Sequence, residues 1–282
     1  MTILTSEQIL GVVIASAVVA ALGAVVGIFL GVFGRILSVP TDEKVEAIRE
    51  ALPGNNCGGC GYSGCDGLAS AMAKGEAACN ACPVGGDECA AKIAQIMGVA
   101  PESTEKRVAF VACSGSCDKT RFKYEYFGDS DCHRVVMVPG RGSKTCAYGC
   151  SGLGSCVSAC PFDAIHIVDG RAQVDVTACR ACGKCVQACP NGLISLLPLS
   201  ATHAVRCKSK EKGKVVREMC DAGCIGCSLC QKVCPVGAIT VENNIAYIRQ
   251  SLCIHCGKCA DKCPAHVIIS PVGKSHDTTE KN

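Results

Sequence analysis

Three runs of the form C-x2-C-x2-C-x3-C-P occupy the second half of the chain: Cys179, Cys182, Cys185, Cys189; Cys224, Cys227, Cys230, Cys234; and Cys253, Cys256, Cys259, Cys263. A stretched fourth run, Cys146, Cys150, Cys156 and Cys160, also ends on Cys-Pro. Three thiolates in one tight loop suit one face of a 4Fe-4S cube, and the cysteine before proline reaches the neighbouring cube, so two runs make one two-cluster unit. The chemistry is one-electron transfer. Crossed ligation groups Cys146, Cys150 and Cys156 with Cys189, and Cys179, Cys182 and Cys185 with Cys160. It likewise groups Cys224, Cys227 and Cys230 with Cys263, and Cys253, Cys256 and Cys259 with Cys234.

Another set lies upstream, in Asn56-Cys57-Gly58-Gly59-Cys60-Gly61-Tyr62-Ser63-Gly64-Cys65. Its C-x2-C-x4-C spacing supplies three ligands to one cubane, and the glycines let backbone amides approach the cluster sulfides. Cys82, which precedes Pro83, is preferred to Cys79 as the fourth ligand, and Cys89 reads as a small buried side chain. That makes five clusters by motif. Cys113, Cys117, Cys132, Cys207 and Cys220 remain, and Cys113, Cys132, Cys207 and Cys220 are expected to hold a sixth, because their two segments flank the run from 146 to 189.

The 27 cysteines in 282 residues exclude an ordinary globular composition. Disulfide scaffolds are short secreted chains, and structural zinc would leave the third cysteine of each triplet surplus. With no Trp and 4% aromatics, the core has few large side chains, so cluster binding must supply much of the folding free energy. Formal charge is +3, but six oxidised cubanes would bring it to about −9. No run of like charge points to nucleic acid and no P-loop or nicotinamide fingerprint occurs. His133, His166 and His255 read as packing or surface groups.

These residues need a scaffold and an anchor. Ile9 to Gly34 is an uncharged stretch of 26 residues, long enough to span a bilayer, with no basic residue ahead of it. Arg35, Lys44 and Arg49 follow it, so the positive-inside rule puts the cysteine-bearing part in the cytoplasm of a single-pass protein of the bacterial inner membrane. Gly23, Gly27 and Gly31 line one helix face suited to close packing with another transmembrane helix. An amphipathic helix is expected over 41–52 and another over 68–78. The Cys160 to Cys189 and Cys234 to Cys263 intervals are equal, at 29 residues, which marks an internal repeat.

The expected fold class is α+β: one N-terminal transmembrane helix, a small helical 4Fe-4S domain and two tandem bacterial-ferredoxin-like two-cluster modules. The expected boundaries are an anchor over 1–38, the N-terminal cluster domain over 39–105, a connecting segment over 106–145 and the first module over 146–198. An insertion with extra ligands follows over 199–222, then the second module over 223–270 and a polar tail over 271–282. Within the insertion, Arg206, Lys208, Lys210, Lys212, Lys214 and Arg217 against Glu211 read as a solvated hairpin tip, or as a basic landing site for an acidic electron donor.

The anchor, the segment from Glu46 to Tyr62 with its Leu52-Pro53-Gly54 ahead of the cysteines, and the ferredoxin runs together resemble the RnfB family of the Rnf complexes, membrane-bound ferredoxin:NAD oxidoreductases. The resemblance covers almost the whole chain, in a long polyferredoxin form, and its N-terminal cluster ligands match Cys57, Cys60, Cys65 and Cys82. It implies an electron-transfer component of an ion-translocating enzyme. Soluble ferredoxin would be the donor, other Rnf-type membrane subunits the partners, and NAD reduction coupled to Na+ or H+ movement the outcome, with no NAD chemistry in this chain. The alternative is a membrane-anchored polyferredoxin of a hydrogenase or formate dehydrogenase, which would lack the Leu-Pro-Gly and C-x2-C-x4-C region. A redox sensor would not need so many clusters.

Overall fold

A computed structural model describes residues 6–36, 42–100 and 105–271. The expected polar tail, apart from Pro271, lies outside the described residues. The first element, α1 (Ser6–Ile36), contains an apolar window, Ser16–Gly34, of mean hydropathy 2.5; it is the one helix among the described residues long and apolar enough to cross a membrane. Its Leu10, Ile14, Val18, Leu22, Val25 and Phe29 are exposed, as are Gly23, Gly27 and Gly31.

Three helices follow. The helix expected over 41–52 forms as α2 (Glu43–Ala51), where Asp42 accepts the Lys44 N–H at 3.1 Å as an N-cap. The one expected over 68–78 starts and ends earlier, as α3 (Cys65–Ala73), and α4 (Gly86–Met97) closes on Gly98 in the left-handed conformation. Ile48, Leu68, Met72 and Ile93 are fully buried between them.

From residue 105 onward the elements are short. They are β1 (Arg107–Val111), α5 (Cys132–Val135), α6 (Ser155–Ser158), β2 (Ile165–Val168), β3 (Arg171–Val174), α7 (Lys184–Gln187) and β4 (Ile194–Pro198). Then come β5 (Ala204–Val205), α8 (Gly213–Met219), α9 (Leu229–Lys232), β6 (Ile239–Glu242), β7 (Ile245–Ile248), α10 (Lys258–Asp261) and β8 (Ile268–Ile269). The mix is α+β. The repeat is visible in the hairpins β2-β3 and β6-β7, which pair antiparallel with the same register across tight turns. Those turns, Asp169-Gly170 and Asn243-Asn244, have positive φ at both central residues, as two-residue hairpins of this twist require.

Two further ladders close each half. β1 pairs with β4 from Arg107 opposite Pro198 to Val111 opposite Ile194, so the segment expected as a connector contributes a strand. β5 pairs with β8. The stretch from 119 to 121 is laced onto residues 219–221: Arg121 N–H donates to Met219 O at 3.0 Å and Asp221 N–H to Lys119 O at 2.8 Å. The Arg121 guanidinium also grips the Asp221 carboxylate at 2.8 and 3.1 Å. This lacing across about a hundred residues of sequence draws Cys113 and Cys220 to one place.

Candidate iron-sulfur sites

Each short helix α7, α9 and α10 begins just after a triplet's second cysteine, on a residue in the left-handed region: Gly183 (φ 77°), Ser228 (φ 57°) and Gly257 (φ 77°). That turn swings the third cysteine back toward the first two, which a C-x2-C-x2-C run must do to present three thiols to one centre. The Cys-Pro cysteine closes the arrangement. Four residues after it a backbone N–H donates to its sulfur: Ala164 to Cys160 at 3.4 Å, Leu193 to Cys189 at 3.3 Å and Ala238 to Cys234 at 3.3 Å. Such bonds stabilise charge on ligating sulfur and adjust a cluster's potential.

The cavities these loops enclose sort the cysteines. Cys179, Cys182 and Cys185 line one together with Cys160. Cys224, Cys227 and Cys230 line another with Cys263. Cys253 and Cys256 stand beside the Cys259 thiol, and Cys234 packs against the buried cluster that holds Cys259. At the N-terminal end Cys60 and Cys65 flank the Cys82 thiol, which accepts the Gly85 N–H at 3.3 Å, and Asn56 Oδ1 pins the loop by accepting the Cys65 N–H at 2.8 Å. Cys89 is buried, its thiol donating to Ala51 O at 3.2 Å, and its pKa is pushed up to about 11, first by burial.

The structure differs from the sequence grouping at two cysteines, which change places. Cys132, expected with Cys113, Cys207 and Cys220, instead lines the cavity of Cys150, Cys156 and Cys189. Cys146, expected with Cys150 and Cys156, instead lines a cavity with Cys113, Cys207 and Cys220. The physical reason is legible by counting back from Cys-Pro. Cys150 and Cys224 both stand ten residues ahead of that cysteine, and Cys156 and Cys230 both stand four ahead. Midway, where the second half has Cys227, the first has Leu153, so a thiol from outside the run must fill the place. Cys132 does so from α5, its N–H bonded to Ser155 Oγ at 2.8 Å. Cys146 is thereby left free for the other cavity.

Burial dominates the acid-base chemistry. The Cys156 and Cys207 thiols are pushed up to about 12 and those of Cys185 and Cys230 to about 11, by desolvation first and neighbouring thiolates in three of the four next. For Cys207 the Cys224 and Ser209 amides pull the other way. Crowded buried thiols of this kind are held as thiolates only by a cationic centre among them. Among the described residues no three His, Cys, Asp or Glu side chains converge tightly enough for a single ion. Four thiols around one cavity are the donor set of a 4Fe-4S cube.

The sites also abut one another. Cys150 N–H donates to Cys113 Sγ at 3.4 Å, and the Cys224 amide bonds the Cys207 thiol, so the cavity of Cys113, Cys146, Cys207 and Cys220 touches one site in each half. At the other end, a Cβ built on Gly59 would lie 2.6 Å from Cys182 O, and Cys57 is among the thiolates that raise the Cys182 pKa after burial. Sequence reasoning did not find this contact, nor the buried Lys144 and half-buried Arg206 beside the bridging cavity. Cys79 packs at the edge of the N-terminal core, and Cys117 is exposed. The insertion is not a hairpin tip: Arg206 turns inward, Lys208 Nζ bonds Gly192 O, and Lys214 and Arg217 lie in α8.

Folded around such sites, the chain is a 4Fe-4S electron-transfer protein with ferredoxin-like domains. Profiles described as a 4Fe-4S dicluster domain match residues 140–190, 178–238 and 223–267, and one described as a putative Fe-S cluster matches residues 52–84. Over 256 residues the chain is 45% identical to the RnfB component of the Na(+)-translocating ferredoxin:NAD(+) oxidoreductase complex of Acetobacterium woodii, covering 90% of this chain and 77% of that relative. It is 40% identical to the corresponding component of the ion-translocating oxidoreductase complex of Methanosarcina acetivorans, covering 89% and 96%. To that of the proton-translocating ferredoxin:NAD(+) oxidoreductase complex of Clostridium ljungdahlii it is 38% identical, covering 88% of each. The chain belongs to the RnfB family of the Rnf-type ion-translocating oxidoreductase complexes.

Proposed function

We propose that this chain receives electrons from reduced soluble ferredoxin at its second half and delivers them, through its N-terminal site, to membrane partners that reduce NAD and move Na+ or H+. The observation that carries this reading is the unbroken succession of thiol-lined sites. It runs from Cys234, Cys253, Cys256 and Cys259 to Cys224, Cys227, Cys230 and Cys263, and then to Cys113, Cys146, Cys207 and Cys220. From there it continues to Cys132, Cys150, Cys156 and Cys189, then Cys160, Cys179, Cys182 and Cys185, and ends at Cys57, Cys60, Cys65 and Cys82. These six sets are the proposed ligands. A 4Fe-4S cluster in each supplies reversible one-electron transfer.

The two ends differ as an entry and an exit should. Cys256 is exposed, with exposed Ile254 beside it and exposed Lys232, Arg249, Lys258 and Lys262 on the same half against Asp261 and Glu242. A basic rim of this kind steers an acidic donor. The N-terminal site is the first after the apolar helix in sequence, with α2 between them. The apolar helix is the proposed single-pass anchor, with the remainder cytoplasmic as the flanking charges direct. The two modules, the bridging site between them and the tail form the proposed domain plan.

Cys220→Ala in the assembled complex tests the succession. Reduced ferredoxin should still reduce the second-half clusters while the first-half and N-terminal clusters stay oxidised and NAD reduction stops. Normal reduction of the first half in a variant lacking four iron atoms would contradict the order.

A further inference from the structure

Two cations, the buried Lys144 and the half-buried Arg206, stand at the bridging cavity without a carboxylate partner. Lys144 is 6% exposed, and its Nζ donates to Gly115 O at 2.9 Å and Gly170 O at 2.7 Å. The Arg206 guanidinium lies 5.7 Å over the Phe110 ring, and its buried Nε has no hydrogen-bond acceptor. Both side chains line the cavity of Cys113, Cys146, Cys207 and Cys220. Arg171, with Nε and Nη1 also buried and unpartnered, is close enough to Arg206 to disfavour its charge, and its acidic neighbour Asp118 is exposed. Among the described residues none of the three cations forms a salt bridge.

Burying like charges together is costly unless a counter-charge lies among them. Hydrogen bonds to two carbonyls orient Lys144 without neutralising it. The counter-charge on offer is the set of four thiolates around the same cavity, with the net charge of about −2 that an oxidised four-cysteine cubane carries. We infer that Lys144 and Arg206 are potential-setting residues of the bridging site, whose fixed positive charge makes it easier to reduce than it would be with neutral neighbours. The sign follows from charge: one added electron takes the site from about −2 to about −3, and a nearby buried cation stabilises the more negative state more strongly. Placed between the two halves, such a site draws electrons out of the second half and lowers the driving force of the step into the first.

This inference rests on the bridging ligand set proposed above, and its test separates the two. Redox titration of the full-length protein, followed by EPR with iron counted per chain, is run on Lys144→Gln, Lys144→Arg, Arg206→Gln and Cys220→Ala. The last assigns the bridging signal by its loss; if it loses neither iron nor signal, the ligand set fails. With the signal assigned, Lys144→Gln and Arg206→Gln should each shift its reduction equilibrium roughly tenfold toward the oxidised form, about 59 mV more negative for a one-electron couple. Lys144→Arg, which keeps the charge, should remain at the parental potential. Gln still donates to both carbonyls, so a purely structural role for Lys144 predicts no shift. An unmoved bridging midpoint in Arg206→Gln, and in Lys144→Gln wherever that variant keeps full iron, overturns the inference.

Discussion

The two halves of the cysteine-rich region share one plan and complete it differently. The second half takes its triplet Cys224, Cys227 and Cys230 from one loop, and its cavity needs only Cys263 in addition. The first half lacks the middle cysteine, has Leu153 in its place, and imports Cys132 from a helix outside the run. The difference ties the first half to its surroundings. With Cys146 released from the local loop, a further site forms from four separate stretches of chain, and that site joins the halves. Irregular spacing here signals a cysteine shared out to neighbours.

The largest effect that separates regions is iron removal. Chelation under anaerobic, reducing conditions should abolish the tertiary structure of both halves, whose short elements enclose the thiols. The helices α2 to α4 should lose less, because Ile48, Leu68, Met72 and Ile93 still bury a shared face. Amide exchange mapped by peptide checks this: equal loss of protection over 42–100 and 224–268 would break the comparison.

Next in size are the cysteines that distinguish the halves. Cys132→Ala should cost about four iron atoms, as much as Cys227→Ala. Adding Leu153→Cys to the Cys132→Ala variant should restore them by rebuilding the regular run. If Cys227→Ala costs four and Cys132→Ala none, Cys132 is not the counterpart of Cys227.

A smaller effect is expected at the contact between the first half and the N-terminal site. Gly59→Ala places its Cβ against Cys182 O and should cost about 1–3 kcal/mol while slowing reduction of the N-terminal cluster by the first half. Unchanged stability and kinetics would mean that the loops do not touch in solution. Smallest is Arg121→Ala, which removes an exposed bidentate pair with Asp221 and should leave the chemical-denaturation midpoint nearly unchanged.

The sequence disclosed much of this arrangement because regular cysteine runs are local. Cys179 to Cys189 and Cys224 to Cys263 carry spacing, closing proline and turn residue together, and Cys160 with Cys179, Cys182 and Cys185, like Cys263 with Cys224, Cys227 and Cys230, lines one cavity as the runs imply. The apolar helix and the hairpins were equally local signals. The exchange of Cys132 and Cys146 was not local, because it depends on the lacing of residues 119–121 onto 219–221. The absent middle cysteine at Leu153 was nevertheless a readable sign that a ligand must come from elsewhere. The inward-facing Lys144 and Arg206 left no such sign: near a cysteine, a basic residue in a sequence looks the same whether it faces water or a cavity.

Which thiols share a site is decided by one double variant. Cys146→Ala and Cys207→Ala fall in the same bridging set here but in different sets if the stretched run were completed locally. Iron and acid-labile sulfide counted on the anaerobically purified full-length protein should therefore fall from about 24 to about 20 per chain in either single variant and stay at about 20 in the double. A fall to about 16 in the double variant would contradict the account.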